Sequence, residues 1–378
     1  MSGRDLRLDF FRGLSLFIIF IDHIPENPLS YFTLHSVAFC DAAEVFIFIS
    51  GYTAALVYGQ SLMRNGALLA VAQVYRRVWQ LYVAHIFLFV IFTAEVSYTL
   101  VAIENPMYAE ELGVGDFLTQ PHIAVLHALA LDFQPPFLDI LPLYIVLLAA
   151  FPLILLGLSR HLLLPGLVSV AVYALTLRFG WALHAYPDDR VWFFNPLAWQ
   201  FLFVIGASLG YVRALGHPPY QPPRWIGQAA VTVAGAIAVI SLSWTAHWIY
   251  DPFPPLFPKL WYFTLDKTSL APVRLFSILA LVMATLHLVA PEAAFLGSRW
   301  ARPVILCGQN SLYVFCLGIV LSVLGHFVLE ELQSGLPAQM AVNLLGIALM
   351  IATAALLQWF KTASRRPRAP SVQPAPSE

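Results

Sequence analysis

Ten apolar runs, each closed by charge, proline or glycine, leave this chain few ways to fold. They cover about Phe10–Ile24, Ser36–Tyr58, Val78–Tyr98, Leu138–Leu158, Leu162–Phe179, Pro196–Val212, Ile226–Trp248, Val273–Val289, Pro303–Leu329 and Pro337–Phe360. Most approach the roughly 20 residues that cross a bilayer as helix, whereas a barrel strand needs only about 10. In lipid no water satisfies the backbone, and a helix closes its hydrogen bonds within one segment. Charged residues make up only 11% of the chain, against roughly 25% in soluble domains. The expected fold is all-α, a polytopic membrane protein of about ten transmembrane helices. One membrane domain spans residues 1–360, and a disordered tail rich in Arg and Pro spans 361–378.

The first run could be taken for a secretory signal. Asp22, His23, Pro25 and Pro28 follow it, however, without a small-residue cleavage pattern, so it reads as a retained span. Charge then orients the bundle. With a cytoplasmic amino terminus, only Arg178, Arg190, Lys259, Lys267 and Arg274 fall outside, leaving 15 of the 20 basic residues inside. An even number of spans returns the carboxyl terminus to the same side. The net charge of −1 offers nothing to nucleic acid. Cys40, Cys307 and Cys316 lie in apolar runs without metal-ligand spacing, as core thiols do, and no metal is expected.

Two loops on the outer side are long. Thr99–Phe137 contains an apolar helical stretch from Ile123 to Leu131, suited to the interface or to re-entry. Tyr250–Pro272 sets Phe253, Phe257, Trp261, Tyr262 and Phe263 among four prolines, as an aromatic belt or as a stacking platform for sugar rings.

The polar residues inside the runs carry the chemistry. Arg12 and His23 stand about 16 Å apart along the first helix, so a basic threshold leads to a deep imidazole. Ionisable groups at that depth are costly and usually functional. Beside His23 the sequence offers Asp22, and on the second helix Asp41 and Glu44, three apart on one face. Glu44 is the expected partner fixing the imidazole tautomer, because Asp22 points about 100° away. Arg76 and Arg77, with Tyr82 after them, serve equally as cytoplasmic anchors or as a phosphate site. Asp139 opens the fourth span; Trp199 and Gln200 lie in the sixth, and Asn310 and Ser311 in the ninth. Ser50-Gly51 reads as a close helix contact. The other histidines are expected to be packed or interfacial.

Several segments resemble the OpgC family, succinyltransferases that modify osmoregulated periplasmic glucans. They are Glu44-Val-Phe-Ile-Phe-Ile-Ser-Gly-Tyr52, Phe137-Leu-Asp-Ile-Leu-Pro-Leu-Tyr144, Phe194-Asn-Pro-Leu-Ala-Trp-Gln200 and Gly308-Gln-Asn-Ser-Leu-Tyr-Val-Phe315. Asp9-Phe-Phe-Arg-Gly13 with His23 further on is similar to the first-helix signature of the wider integral-membrane acyltransferase superfamily. The likeness runs from about Arg4 to Phe360. It implies a bacterial inner-membrane O-acyltransferase that takes succinyl-CoA as donor and a periplasmic glucan as acceptor. His23 would be the base, assisted by Glu44, Asp22 and Asp41, with the CoA phosphates on Arg12, Arg76, Arg77 and Tyr82. Asp139, Tyr144, Trp199, Gln200, Asn310 and Ser311 would meet substrate. Membrane lipids surround such a protein, and a homodimer stays open. The competing expectation is a proton-coupled transporter or flippase for a polar or acidic solute, which intramembrane Asp, Glu and His serve equally well.

Overall fold

The computed structural model describes residues 5–24, 27–103, 113–187, 190–249, 254–331 and 335–364. Among these, helix dominates, and every expected span coincides with one. In chain order the helices are α1 (Leu6–Asp22), α2 (Ala42–Asn65), α3 (Ala67–Ile103), α4 (Gly115–Thr119), α5 (Pro121–Leu129), α6 (Ile140–Arg160) and α7 (Leu164–Phe179). A two-stranded hairpin, β1 (His184–Ala185) with β2 (Arg190–Val191), follows. Then come α8 (Pro196–Ala214), α9 (Arg224–Ile249), α10 (Pro258–Leu265), α11 (Pro272–Leu288), α12 (Ala301–Gln309), α13 (Ser311–Glu331) and α14 (Leu336–Ala363). Seven of the described helices are long and apolar enough to cross a membrane, and the protein is a multi-pass membrane protein. Helices α7 and α11 are also apolar but shorter.

The ninth run is broken. Asn310 interrupts it, capping α12 through its side-chain amide on the Leu306 carbonyl at 3.0 Å. Helix α13 therefore begins inside the bundle instead of at its edge. The expected disordered tail falls mainly on residues 365–378, outside the described residues; α14 itself runs on to Ala363. The expected apolar helix of the first long loop is α5, and α10 forms within the second.

Small residues let backbones meet. A Cβ on Gly51 would strike the Phe203 carbonyl, and one on Gly206 or Gly210 would strike the carbonyl of Phe48 or Tyr52, so α2 and α8 pack backbone to backbone. Gly13 and Gly308 do the same for α1 against α12. Without a hydrophobic force between helices in lipid, such approach supplies the dispersion contact that holds them. The turn between α2 and α3 is one residue, Gly66, whose φ of 82° suits glycine. These contacts draw α1, α2, α6, α8 and α13 into one core.

Candidate functional site

Among the described residues, two open cavities hold the residues of the candidate site. One, of about 750 Å³, is lined at one end of the bundle by Asp22, His23, Asp41, Phe137, Asp139 and Lys267, among others. The second, of about 140 Å³, is lined by Arg12, Thr53, Tyr58, Arg77, Tyr144 and Ser311. They nearly touch. Ala43 lines the first and Phe46 the second, one helical turn apart on α2, and the adjacent residues Ile140 and Leu141 divide in the same way on α6. The rise between them along α2 is about 4.5 Å. Phe46 fills this wall, its ring 6.1 Å from that of Tyr144 and 6.3 Å from that of Phe315.

His23 sits one residue beyond α1, as its C-cap. Its Nδ1 lies 2.6 Å from the Ile19 carbonyl oxygen. A carbonyl only accepts, so Nδ1 carries the proton and Nε2 keeps its lone pair. Nε2 is thus placed to accept a proton. Phe137 packs against the ring with centroids 5.0 Å apart. Its φ of 74° is left-handed, a strained conformation for a bulky residue.

The structure corrects the expected role of Glu44. It does not fix the imidazole; the Ile19 carbonyl does. Glu44 is fully buried, 2.6 Å from Arg274 and accepting the Asp41 backbone N–H at 2.9 Å. Asp41 and Glu44 form a capping box at the start of α2. Asp41 also meets Lys267 at 2.6 Å and Arg274 at 3.2 Å. Asp22 lines the same cavity but turns to the Thr33 hydroxyl, which donates to it at 2.7 Å, and to His35 at 3.6 Å. Asp139 stands one residue ahead of α6 and lines the same cavity.

At the other cavity, the Arg12 guanidinium donates to the Thr53 hydroxyl at 2.6 Å. Ser311 and Leu312 bring the amino-terminal end of α13 to the same space, adding its positive dipole end to Arg12 and Arg77. Arg76, by contrast, is exposed and outside the cavity lining. Tyr82 lies outside as well, donating to the Leu129 carbonyl at 2.9 Å. Asn310 accepts from Lys361 at 2.6 Å. Trp199 and Gln200 line neither cavity. The indole of Trp199 donates to the Lys267 carbonyl at 2.9 Å, and Gln200 pairs with Ser169.

Phe253 lies outside the described residues, and the described aromatics of the second long loop do not line the larger cavity. Trp261 packs on Trp244 with centroids 5.4 Å apart, and the apolar rings of the larger cavity are Phe137, Tyr186, Phe193 and Phe194. The loop instead contributes Lys267 and Thr268. Lys267 and Arg274 were absent from the expected site, being more than two hundred residues from Asp41 and Glu44. The available signal was that both belong to the five basic residues expected on the outer side, where basic residues are few.

A family model described as OpgC protein matches residues 4–362, nearly the whole chain. The chain belongs to the OpgC family. No curated protein and no solved structure matches it. In this OpgC-family protein the resembling segments meet at the cavities: Asp139 to Tyr144 passes from one to the other, Phe194 borders the larger, and Ser311 to Phe315 borders the smaller.

The two arginines of α3 therefore separate. If the smaller cavity holds the phosphates of a donor, Arg77→Ala should weaken its apparent affinity by about tenfold or more, since a charge-assisted contact contributes roughly 1.5–3 kcal/mol. Arg76→Ala should cost about threefold or less. Isothermal titration of CoA into each variant in one detergent distinguishes them, and equal losses would remove the smaller cavity from donor binding.

Proposed function

We propose that this OpgC-family protein is an O-acyltransferase of the integral-membrane acyltransferase superfamily. It takes succinyl from succinyl-CoA on the cytoplasmic side of the bacterial inner membrane and passes it to a hydroxyl of a periplasmic glucan. In this reading the chain crosses the membrane ten times and both termini are cytoplasmic. The observation that carries it is the pair of cavities divided by one thin wall, with arginines lining one and a tautomer-fixed imidazole lining the other.

CoA's phosphates rest on Arg12 and Arg77 at the start of α13, and the pantetheine arm carries the thioester toward Phe46. The arm is on the order of 15–20 Å long, comparable to the rise from Arg12 to His23. A sugar stacks on the phenyl rings of the larger cavity and presents a hydroxyl to His23. Nε2 takes the hydroxyl proton as the oxygen attacks the thioester carbon. The C–S bond then breaks, and the imidazolium returns the proton to the leaving thiolate. General-base help of this kind contributes about 10²–10⁴ in rate.

The purified protein should release free CoA from succinyl-CoA when supplied with a β-glucan, followed with a thiol reagent. Absence of acceptor-dependent release with any common acyl-CoA, together with solute uptake into liposomes, would favour the transporter instead.

A further inference from the structure

Lys267 is held in place by more devices than a loop cation needs. Its carbonyl accepts from the Trp199 indole at 2.9 Å and from the Leu270 N–H at 3.2 Å. Its own N–H donates to the Leu265 carbonyl at 2.8 Å, and the next residue is tied to α8 through Asn195 N–H to the Thr268 carbonyl at 3.2 Å. The ammonium lies 2.6 Å from Asp41, with the rings of Phe193 and Phe194 at 5.8 and 5.2 Å. That leaves two of its three N–H donors without a hydrogen-bond acceptor among the described residues. Both Lys267 and His23 line the larger cavity.

A cation anchored this way in a low-dielectric cavity, with spare donors, has the properties required of an oxyanion stabiliser. Its counterion does not use it up, because Asp41 is shared with Arg274. The other charged or titratable groups lining the cavity with His23 are Asp22 on α1, Asp41 ahead of α2, Asp139 ahead of α6, Tyr186 between the strands of the hairpin and Arg190 on β2; Tyr186 carries no positive charge and its ring is stacked on His127 with centroids 4.3 Å apart. Three of these are acids and cannot serve a developing negative charge when ionised. Arg190 is exposed.

The geometry points to Lys267 as the electrophilic partner of His23: its ammonium stabilises the negative charge that forms on the thioester carbonyl oxygen during acyl transfer. The inference rests on the acyl-transfer reading above. As the acceptor oxygen bonds to the carbonyl carbon, the carbonyl π pair moves onto oxygen, next to the ammonium. It returns when the C–S bond breaks, and Lys267 keeps its proton throughout.

The test is steady-state transfer by the parent, Lys267→Met, Lys267→Arg and the double variant Asp41→Asn/Lys267→Met, each checked by thermal melting. Loss of an oxyanion donor typically costs about 10²–10³ in kcat. Lys267→Met should show that loss with donor KM changed by less than about threefold, and Lys267→Arg should recover to within about tenfold of the parent. Removing the positive charge should also let the His23 pKa rise, moving the acid limb of the pH profile upward. If Lys267 merely neutralises Asp41, the double variant will regain activity; the proposal requires it to stay as slow as Lys267→Met. A folded Lys267→Met within about threefold of the parent, or recovery in the double variant, overturns the assignment. An inactive parent overturns the acyl-transfer reading itself.

Discussion

His23→Ala is expected to lower saturating turnover by about 10²–10⁴-fold, or roughly 3–5 kcal/mol of barrier, while CoA binding stays within about threefold of the parent. In the proposed reaction the imidazole acts on the acceptor's proton, whereas the donor is held through phosphates about 16 Å away along α1. The loss should appear in kcat and not in donor affinity, because the base contributes only as the hydroxyl proton moves. In the parent, activity should fall as acid protonates Nε2. The acid limb should be absent from whatever turnover His23→Ala retains. Turnover within about tenfold of the parent in a folded variant would remove His23 from the chemistry.

The second large effect concerns stability. Arg274 supplies the counter-charge to Glu44, which has no solvent contact. Arg274→Met leaves that carboxylate with only the Asp41 backbone N–H at 2.9 Å as a hydrogen-bond donor. Breaking a buried pair by removing one partner typically costs about 3–5 kcal/mol. A fall in melting temperature on the order of 10 °C should follow. The double variant Glu44→Gln/Arg274→Met should recover most of it, since no buried charge then lacks a partner. Lys267 still pairs with Asp41 in both variants, so the cavity lining persists. An Arg274→Met protein melting within about 2 °C of the parent would show that Glu44 is stabilised by something other than this ion pair.

The helices were legible in the sequence because each buries or presents to lipid an apolar run bounded by charge, proline or glycine. The break at Asn310 was not, since apolar runs continue on both sides of it and the capping bond reaches back only four residues to Leu306. His23 stood out because a titratable ring follows an apolar helix. What fixes that ring did not: the bond from Nδ1 goes to the Ile19 backbone, which every residue type provides. Asp41 and Glu44 were recognised as a pair but assigned to catalysis, although Asp-x-x-Glu ahead of an apolar run is also the pattern of a capping box. Their ion-pair partners Lys267 and Arg274 come from distant loop and helix positions, and no local pattern connects them. Arg76 and Arg77 are indistinguishable in sequence. On a helix, neighbours differ by about 100° in direction, and only Arg77 lines the cavity.

The most direct measurement uses the parent protein in sealed liposomes of defined orientation, with succinyl-CoA confined to the cytoplasmic face and β-glucan to the other. Mass spectrometry of the glucan is the readout. Acylated glucan should appear when donor and acceptor are on opposite faces, at a rate that falls with His23→Ala. Acylation only when both are on one face, with none across the membrane, would contradict transfer through the wall between the cavities.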